Sequence, residues 1–374
     1  MKFTKLALAV AVASVAVAAQ AQTANVTVYG GLRAALEVAK YAGPAGSARI
    51  TSMENISSRW GMRGSESLGG GLNAIFQLES GFGIDNGAAG SLNGATQLFN
   101  REAWVGLQGG FGTLRLGYGL TPFDDVLGMA HHQGANSWEN RNNGVGGGAG
   151  FAKRDLFTNY ASANQCNSSA FDARYGNSIS YATPNMSGVV VRTQYAFVGE
   201  TSSNACKAWD TAITYRQGPL ALGATYALHS NFTGLGSVVA LHDQKAMRLF
   251  AGFDAKVVRF TGTYEAATYS PASGSLKYKY WDLGALAPIG AATAGVQYSQ
   301  RDKGLAAGYN PLTQALTVNA ATLANWNNGG GKHLAVTLDY PLSRRTMIRS
   351  YYAQLKNETG AKVTALSSGL WHSF

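Results

Sequence analysis

The chain has 374 residues, a formal net charge of +10 and only 13% charged residues. That is roughly half the ~25% usual in soluble domains, and with 11% aromatics it excludes an intrinsically disordered chain. Its cations are spread singly along the alternating segments, which speaks against a nucleic-acid binder and fits a surface or lumen that attracts anions.

Lys2 and Lys5 precede an apolar stretch from Leu6 to Ala19, and Ala19-Gln20-Ala21 closes it with a small-x-small pattern. This is the arrangement of a cleaved secretory signal, and the stretch is short for a membrane anchor. Residues 1–21 are read as a signal peptide and residues 22–374 as one domain, whose net charge without Lys2 and Lys5 is +8. Beyond Gln22 no run of about 18 apolar residues offers a transmembrane helix. No cysteine follows the cleavage pattern for a lipid anchor.

The domain then repeats one motif: segments of roughly 8–12 residues that alternate apolar with small or polar side chains, separated by turn-like stretches. From Thr113 to Leu120, Leu114, Leu116, Tyr118 and Leu120 fall on one face and Arg115 on the other. From Ser187 to Phe197, Val189, Val191, Thr193, Tyr195 and Phe197 oppose Arg192 and Gln194. From Lys256 to Glu265, Val258, Phe260 and Tyr264 oppose Arg259, Thr261 and Glu265. One face suits lipid and the other water.

Connections alternate between short and long. The short ones include Leu68–Gly71, Gly109–Gly112, Pro184–Met186, Gln217–Pro219 and Pro288–Gly290. The long ones lie near Tyr41–Ser52, Gly83–Leu98, Thr121–Asp172, Gly199–Ala208, His229–Asp243, Arg301–Gly331 and Lys356–Ala361. The pattern predicts an all-β chain of about 16 antiparallel strands closed into a transmembrane barrel, short turns in the periplasm and long loops outside. The terminal strand ends in Trp371 and Phe374, which suits a closing strand at the membrane interface.

Several segments carry a family resemblance over essentially the whole domain: Val26–Gly30, Ser58–Gly64 with Glu66, Leu68–Ser80, Arg101–Gly117, Thr121–Asp124 and Asn177–Gly188. The chain resembles the general outer-membrane porins of the beta-proteobacterial and neisserial type. The resemblance implies a homotrimer of sixteen-stranded barrels, with the third long loop folded inward as a constriction. Gly117-Tyr118-Gly119 departs from the Gly-Arg-Gln often found in such porins. An acidic residue often found near Arg33 is missing, and Ser373 replaces a basic residue. The first two departures bear on selectivity and leave the fold intact.

Under this reading the constriction loop runs from about residue 121 to 172. Alternation turns Arg33, Arg59, Arg63, Arg101, Arg115 and Arg174 toward water, with Arg101 opposing Trp104. Burying any of them in lipid at the midplane would cost about 2–4 kcal/mol. Asp124 and Asp125 would face part of this basic wall across the pore, or else anchor the loop as a salt bridge or turn cap. Cys166 and Cys206, on neighbouring extracellular loops of an exported chain, are read as a disulfide pair.

No catalytic, metal or cofactor site is expected. His229-Ser230-Asn231 invites a hydrolase reading, but adjacent strand residues point to opposite faces. His131-His132 lacks a nearby carboxylate or cysteine to complete a metal site. The glycine run Gly144–Gly150 lacks the Lys and Ser/Thr of a phosphate loop.

The expected function is a passive outer-membrane channel for small hydrophilic solutes and inorganic anions, surrounded by outer-membrane lipid and lipopolysaccharide and without a nucleic-acid partner. A substrate-specific channel, for which Trp138 and Trp281 are candidate contacts, a surface adhesin and a barrel enzyme are the competing readings.

Overall fold

The computed structural model describes residues 25–43, 46–92, 95–130, 171, 173–198, 206–232, 241–271, 276–302, 331–357 and 362–374. The signal segment and the histidine pair at 131–132 lie outside them, as do the glycine run and most of the third loop.

The strands run in chain order: β1 (Asn25–Gly43), β2 (Gly46–Asn55), β3 (Arg59–Gly69), β4 (Leu72–Gly81), β5 (Ser91–Leu92), β6 (Ala95–Thr96), β7 (Glu102–Gly109) and β8 (Gly112–Leu120). Helix α1 (Phe123–Ala130) follows, then β9 (Arg174–Ala182), β10 (Val189–Ala196), β11 (Lys207–Gln217), β12 (Leu220–Ser230), β13 (Leu241–Asp254) and β14 (Arg259–Pro271). The chain finishes with β15 (Leu276–Ile289), β16 (Ala292–Arg301), β17 (Gly331–Pro341), β18 (Thr346–Asn357) and β19 (Lys362–Ser373).

Apart from the small β5–β6 hairpin and from β2 and β3, which both pair with β1, each strand pairs antiparallel with the strands before and after it in the barrel. β1 closes the sheet by pairing with β19 from Gly31↔Ser373 to Ala42↔Lys362. Backbone bonds in both directions between Gly30 and Phe374 finish the seam. β2 and β3 together oppose β1, β3 along its first half and β2 along its second. They count as one barrel strand broken at Ile56–Ser58, and the result is a closed sixteen-stranded barrel. Two bonds seat the break against Arg33: its amide donates to Ser58 Oγ at 2.9 Å, and its carbonyl accepts from the Ile56 amide at 3.0 Å.

Burial is inverted relative to a soluble protein. Val28, Leu36, Leu116, Ile213, Leu283, Val336 and Leu366 are exposed on the outer face. Glu37, Glu79, Asp210, Arg248, Glu265, Asp282 and Arg349 are buried within. Lipid covers the first set and the polar lumen houses the second. Gly69, Gly70 and Gly71 all take positive φ with open space around them, which lets the chain reverse between β3 and β4.

Three sequence expectations change. The loop placed at Tyr41–Ser52 is instead the tip of a long hairpin: β1 and β2 pair up to Gly43↔Gly46, because both strands keep their alternation past the membrane edge. A further connection separates β14 from β15 at residues 272–275. The β8–β9 ladder shifts register between Gly117 and Gly119, which interrupts the simple alternation from Thr113 to Leu120.

Candidate functional site

The third loop begins as a helix. Thr121 caps it, its carbonyl accepting from the Asp124 amide at 3.1 Å, and Pro122 follows at a position where a missing N–H costs little. Asp124 and Asp125 fill the first turn, where the helix dipole favours negative charge.

α1 lies inside the barrel against β11 to β14. Val126 and Met129 bury against Phe250 and Ala221. Gly223 leaves the space they use: a Cβ there would stand 2.7 Å from the Val126 side chain.

Three arginines fasten the helix. Arg192 Nη1 donates to Asp125 Oδ1 at 2.6 Å, and its Nη2 donates to the Leu120 carbonyl. Arg248 lies over the Phe123 ring at 4.3 Å, donates from Nη1 to the Phe123 carbonyl at 3.0 Å, and pairs with Glu265 at 2.6 Å. Arg259 Nη2 donates to the Met129 carbonyl at 3.0 Å, near the negative end of the helix. Burial pushes the Asp125 carboxyl up from its ordinary range, against the downward pull of Arg192, Arg115 and Arg216.

The opposite arc, from β1 through β8, carries the other arginines. Arg33 lies over Trp371 at 4.6 Å, Arg63 over Tyr29 at 5.2 Å and Arg115 over Trp104 at 4.3 Å. Among the described residues none of Arg33, Arg59, Arg63 and Arg115 has a carboxylate within ion-pair distance. Arg33 lies within the fields of Arg59, Arg101 and Arg349, with Glu79 acting the other way. The rings hold Arg33, Arg63 and Arg115 against the wall by cation–π contact without neutralising them.

Arg101 and Arg174 differ. Arg101 Nε meets Glu79 Oε1 at 2.5 Å, and Arg174 stands 3.8 Å from Glu102. Glu79 also accepts from the Tyr29 hydroxyl at 3.0 Å. Glu102 accepts from Trp104 Nε1 at 2.9 Å and from the Leu120 amide at 3.3 Å.

Trp104 therefore lies on the lumen side together with Arg101, contrary to the opposition expected from their spacing. Arg101 precedes the first residue of β7, so strand alternation does not govern it.

Sequence reasoning did not single out Arg248, Arg349, Glu79, Trp104 or Trp371 as lumen partners. Arg349 lies over Trp371 at 3.9 Å and pairs with Asp339 at 2.6 Å. The Trp371 ring is thus shared between Arg33 and Arg349. A Glu79-type signal exists in the alternation of β4, but the partner across the ladder gives no signal of its own.

Cys206 is fully buried beside Tyr175, Val198 and Phe232 and is not a free thiol; Cys166 lies outside the described residues. His229 is buried against Phe171, Tyr175 and Phe232, with Nε2 3.5 Å from Asp210. Phe171 also meets the start of the third loop, where the Thr121 hydroxyl donates to its carbonyl at 2.8 Å.

The geometry describes a barrel with a polar inner face and a helix docked within it. The chain is 28% identical over 354 residues to an outer membrane porin of Bordetella pertussis, covering 87% of this chain and 84% of that one. It is 31% identical over 239 residues to outer membrane porin protein 32 of Delftia acidovorans, covering 62% and 61%. The fold of the anion-selective porin from Comamonas acidovorans superposes with a TM-score of 0.68 at 23% identity, over 94% of this chain and all of that one. A family profile for Gram-negative porins matches residues 7–360, and the chain belongs to that family of passive outer-membrane channels.

Proposed function

We propose that the channel is a general diffusion pore for small hydrophilic solutes with a preference for anions. One observation carries the reading. On the arc from β1 to β8, Arg33, Arg59, Arg63 and Arg115 face the lumen without an ion-paired carboxylate among the described residues, and three of them lie over aromatic rings.

A charged ring facing a narrow aqueous path favours the counter-ion. Low-dielectric walls lengthen the reach of that field. The description of the Comamonas neighbour as anion-selective supports the same sign. Arg101 and Arg174, paired with Glu79 and Glu102, shape the wall and contribute less net charge. Asp124 and Asp125 serve the anchoring of α1, with Asp125 held by Arg192.

The channel acts without catalysis in this reading. Three barrels assemble as the resemblance implies, and Cys166 bridges to Cys206, which ties the end of the third loop to its neighbour.

The test is the zero-current potential of the signal-free protein in a planar bilayer under a potassium chloride gradient. The intact protein is expected to be anion-selective. Replacing Arg33, Arg59, Arg63 and Arg115 together by Gln should move the potential toward zero or past it. Cation selectivity of the intact protein would overturn the assignment of these arginines while leaving the channel. Conductance steps in threes support the trimer, and mass mapping of the unreduced protein tests the bridge.

A further inference from the structure

Two lumen arginines without an ion pair among the described residues stand one aromatic ring away from carboxylates that are paired. Glu79 of β4 and Glu102 of β7 lie directly opposite each other. Like charges so placed destabilise a strand pair, and each acid is offset by an arginine of its own. Arg101 meets Glu79 at 2.5 Å, and Arg174 stands 3.8 Å from Glu102. Acids that face a like charge would also recruit Arg63 and Arg115, and those two charges would then be lost to the pore.

An aromatic side chain stands at both places. Tyr29 donates its hydroxyl to Glu79 Oε2 at 3.0 Å and carries Arg63 over its ring at 5.2 Å. Trp104 donates Nε1 to Glu102 Oε2 at 2.9 Å and carries Arg115 over its ring at 4.3 Å. One order of groups therefore occurs twice: selecting arginine, ring, carboxylate, paired arginine. The two copies meet at the facing acids.

Tyrosine and tryptophan combine a π face with a donor at the edge, and phenylalanine has the face alone. The surroundings are cut to fit. Gln77 Nε2 donates to the Tyr29 hydroxyl at 2.7 Å, which leaves the hydroxyl proton for Glu79. A Cβ on Gly61 would stand 2.9 Å from that hydroxyl, and one on Gly119 would stand 2.8 Å from Glu102 Oε2. The other carboxylate whose field reaches Arg115 is Asp125, which Arg192 holds.

Resting on the reading of Arg63 and Arg115 as selecting charges, we propose that Tyr29 and Trp104 are positioning residues of anion selection. Each is a partition: its edge satisfies a carboxylate, and its face holds an arginine that keeps its charge. The edge fills the acceptor that the arginine would otherwise take. The face attracts the guanidinium without cancelling it. Once the edge is gone the acid turns to the arginine, and a charge-assisted bond replaces a field in the pore.

The experiment uses the signal-free full barrel in a planar bilayer under a potassium chloride gradient. The zero-current potential is read as the ratio of chloride to potassium permeability. Y29F and W104F keep a ring and remove the donor edge. Anion preference should fall in Y29F about as far as in R63Q, and in W104F about as far as in R115Q. Adding R63Q to Y29F, or R115Q to W104F, should then change little, because the charge is already spent; such non-additivity marks a shared interaction. Space filling by the ring, which phenylalanine preserves, gives no shift. Heat-modifiability on gels certifies folding. Y29F, which loses a single oxygen atom, carries the test alone if W104F does not fold.

Y29F and W104F that keep the parent's potential overturn the partition and leave the selecting arginines in place. Full-size effects of R63Q and R115Q in those two backgrounds do the same. If R63Q and R115Q leave the potential of the otherwise intact protein unmoved, the reading of these arginines falls, and the partition falls with it.

Discussion

On the arc from β1 to β8, Arg33, Arg59, Arg63 and Arg115 form no ion pair among the described residues. On the arc from β10 to β14, Arg192, Arg248 and Arg259 end on Asp125, Glu265 and carbonyls of α1 or the residue that leads into it. The residue type is the same and the inward orientation is the same, yet one set leaves its charge facing water while the other is used up in building. An arginine in a lumen therefore acts through its partners. Aromatic partners hold the guanidinium and preserve its field, whereas carboxylate and carbonyl partners convert it into a fastener.

The largest break in this comparison comes from Arg248→Ala. Arg248 and Glu265 are each about 1% exposed, and removing one member of such a buried pair costs roughly 3–5 kcal/mol. The same change deletes the bond to the Phe123 carbonyl. The midpoint of urea unfolding should fall, and single-channel records should show a noisier, larger open level as α1 loosens. Quiet records with an unchanged midpoint would remove Arg248 from the fastening set.

Gly223→Val probes the same helix from the other side. The existing clearance to Val126 leaves no room for a branched side chain, and overpacking of this kind costs about 1–3 kcal/mol. The helix should be pushed into the lumen, so unit conductance should drop while Arg248→Ala raises it. Opposite signs from two changes at one contact would locate α1 at the narrow part of the path. Equal signs would place that part elsewhere.

The contrast between the two arcs was only half legible in the sequence. Alternation alone turned Arg33, Arg59, Arg63, Arg115 and Arg174 inward, and it opposed Arg192 and Arg259 to apolar neighbours, because a period of two is a local property of a strand. Thr121-Pro122 followed by two acids is also a local helix-start signal, but inside a long loop it reads equally as a turn. Employment is not local. Arg248 reaches the Phe123 carbonyl across 125 residues of sequence and Arg259 reaches Met129 across 130; no spacing announces either contact. The β1–β2 hairpin failed for a different reason. Gly43-Pro44-Ala45-Gly46 carries a strong turn signal, and its flanks keep alternating without it being clear where the membrane stops.

Asp125→Asn is the mildest test, and it moves one arginine from the fastening set toward the selecting set. The Arg192–Asp125 pair is partly exposed, at 15% and 28% of the two side chains, so the lost bond is worth only about 1 kcal/mol after solvent screening. Arg192 keeps its hold on the Leu120 carbonyl, and the helix should stay docked with conductance nearly unchanged. The charge balance does change: Arg115 loses a nearby negative neighbour and Arg192 loses its counter-ion. Anion preference should therefore rise by a small step in the zero-current potential, at the same conductance. A potential that stays put would mean that Arg192 and Asp125 lie outside the ion path, so that selection belongs to the β1–β8 arc alone. A fall in anion preference would mean that α1 had moved from its place against β11 to β14.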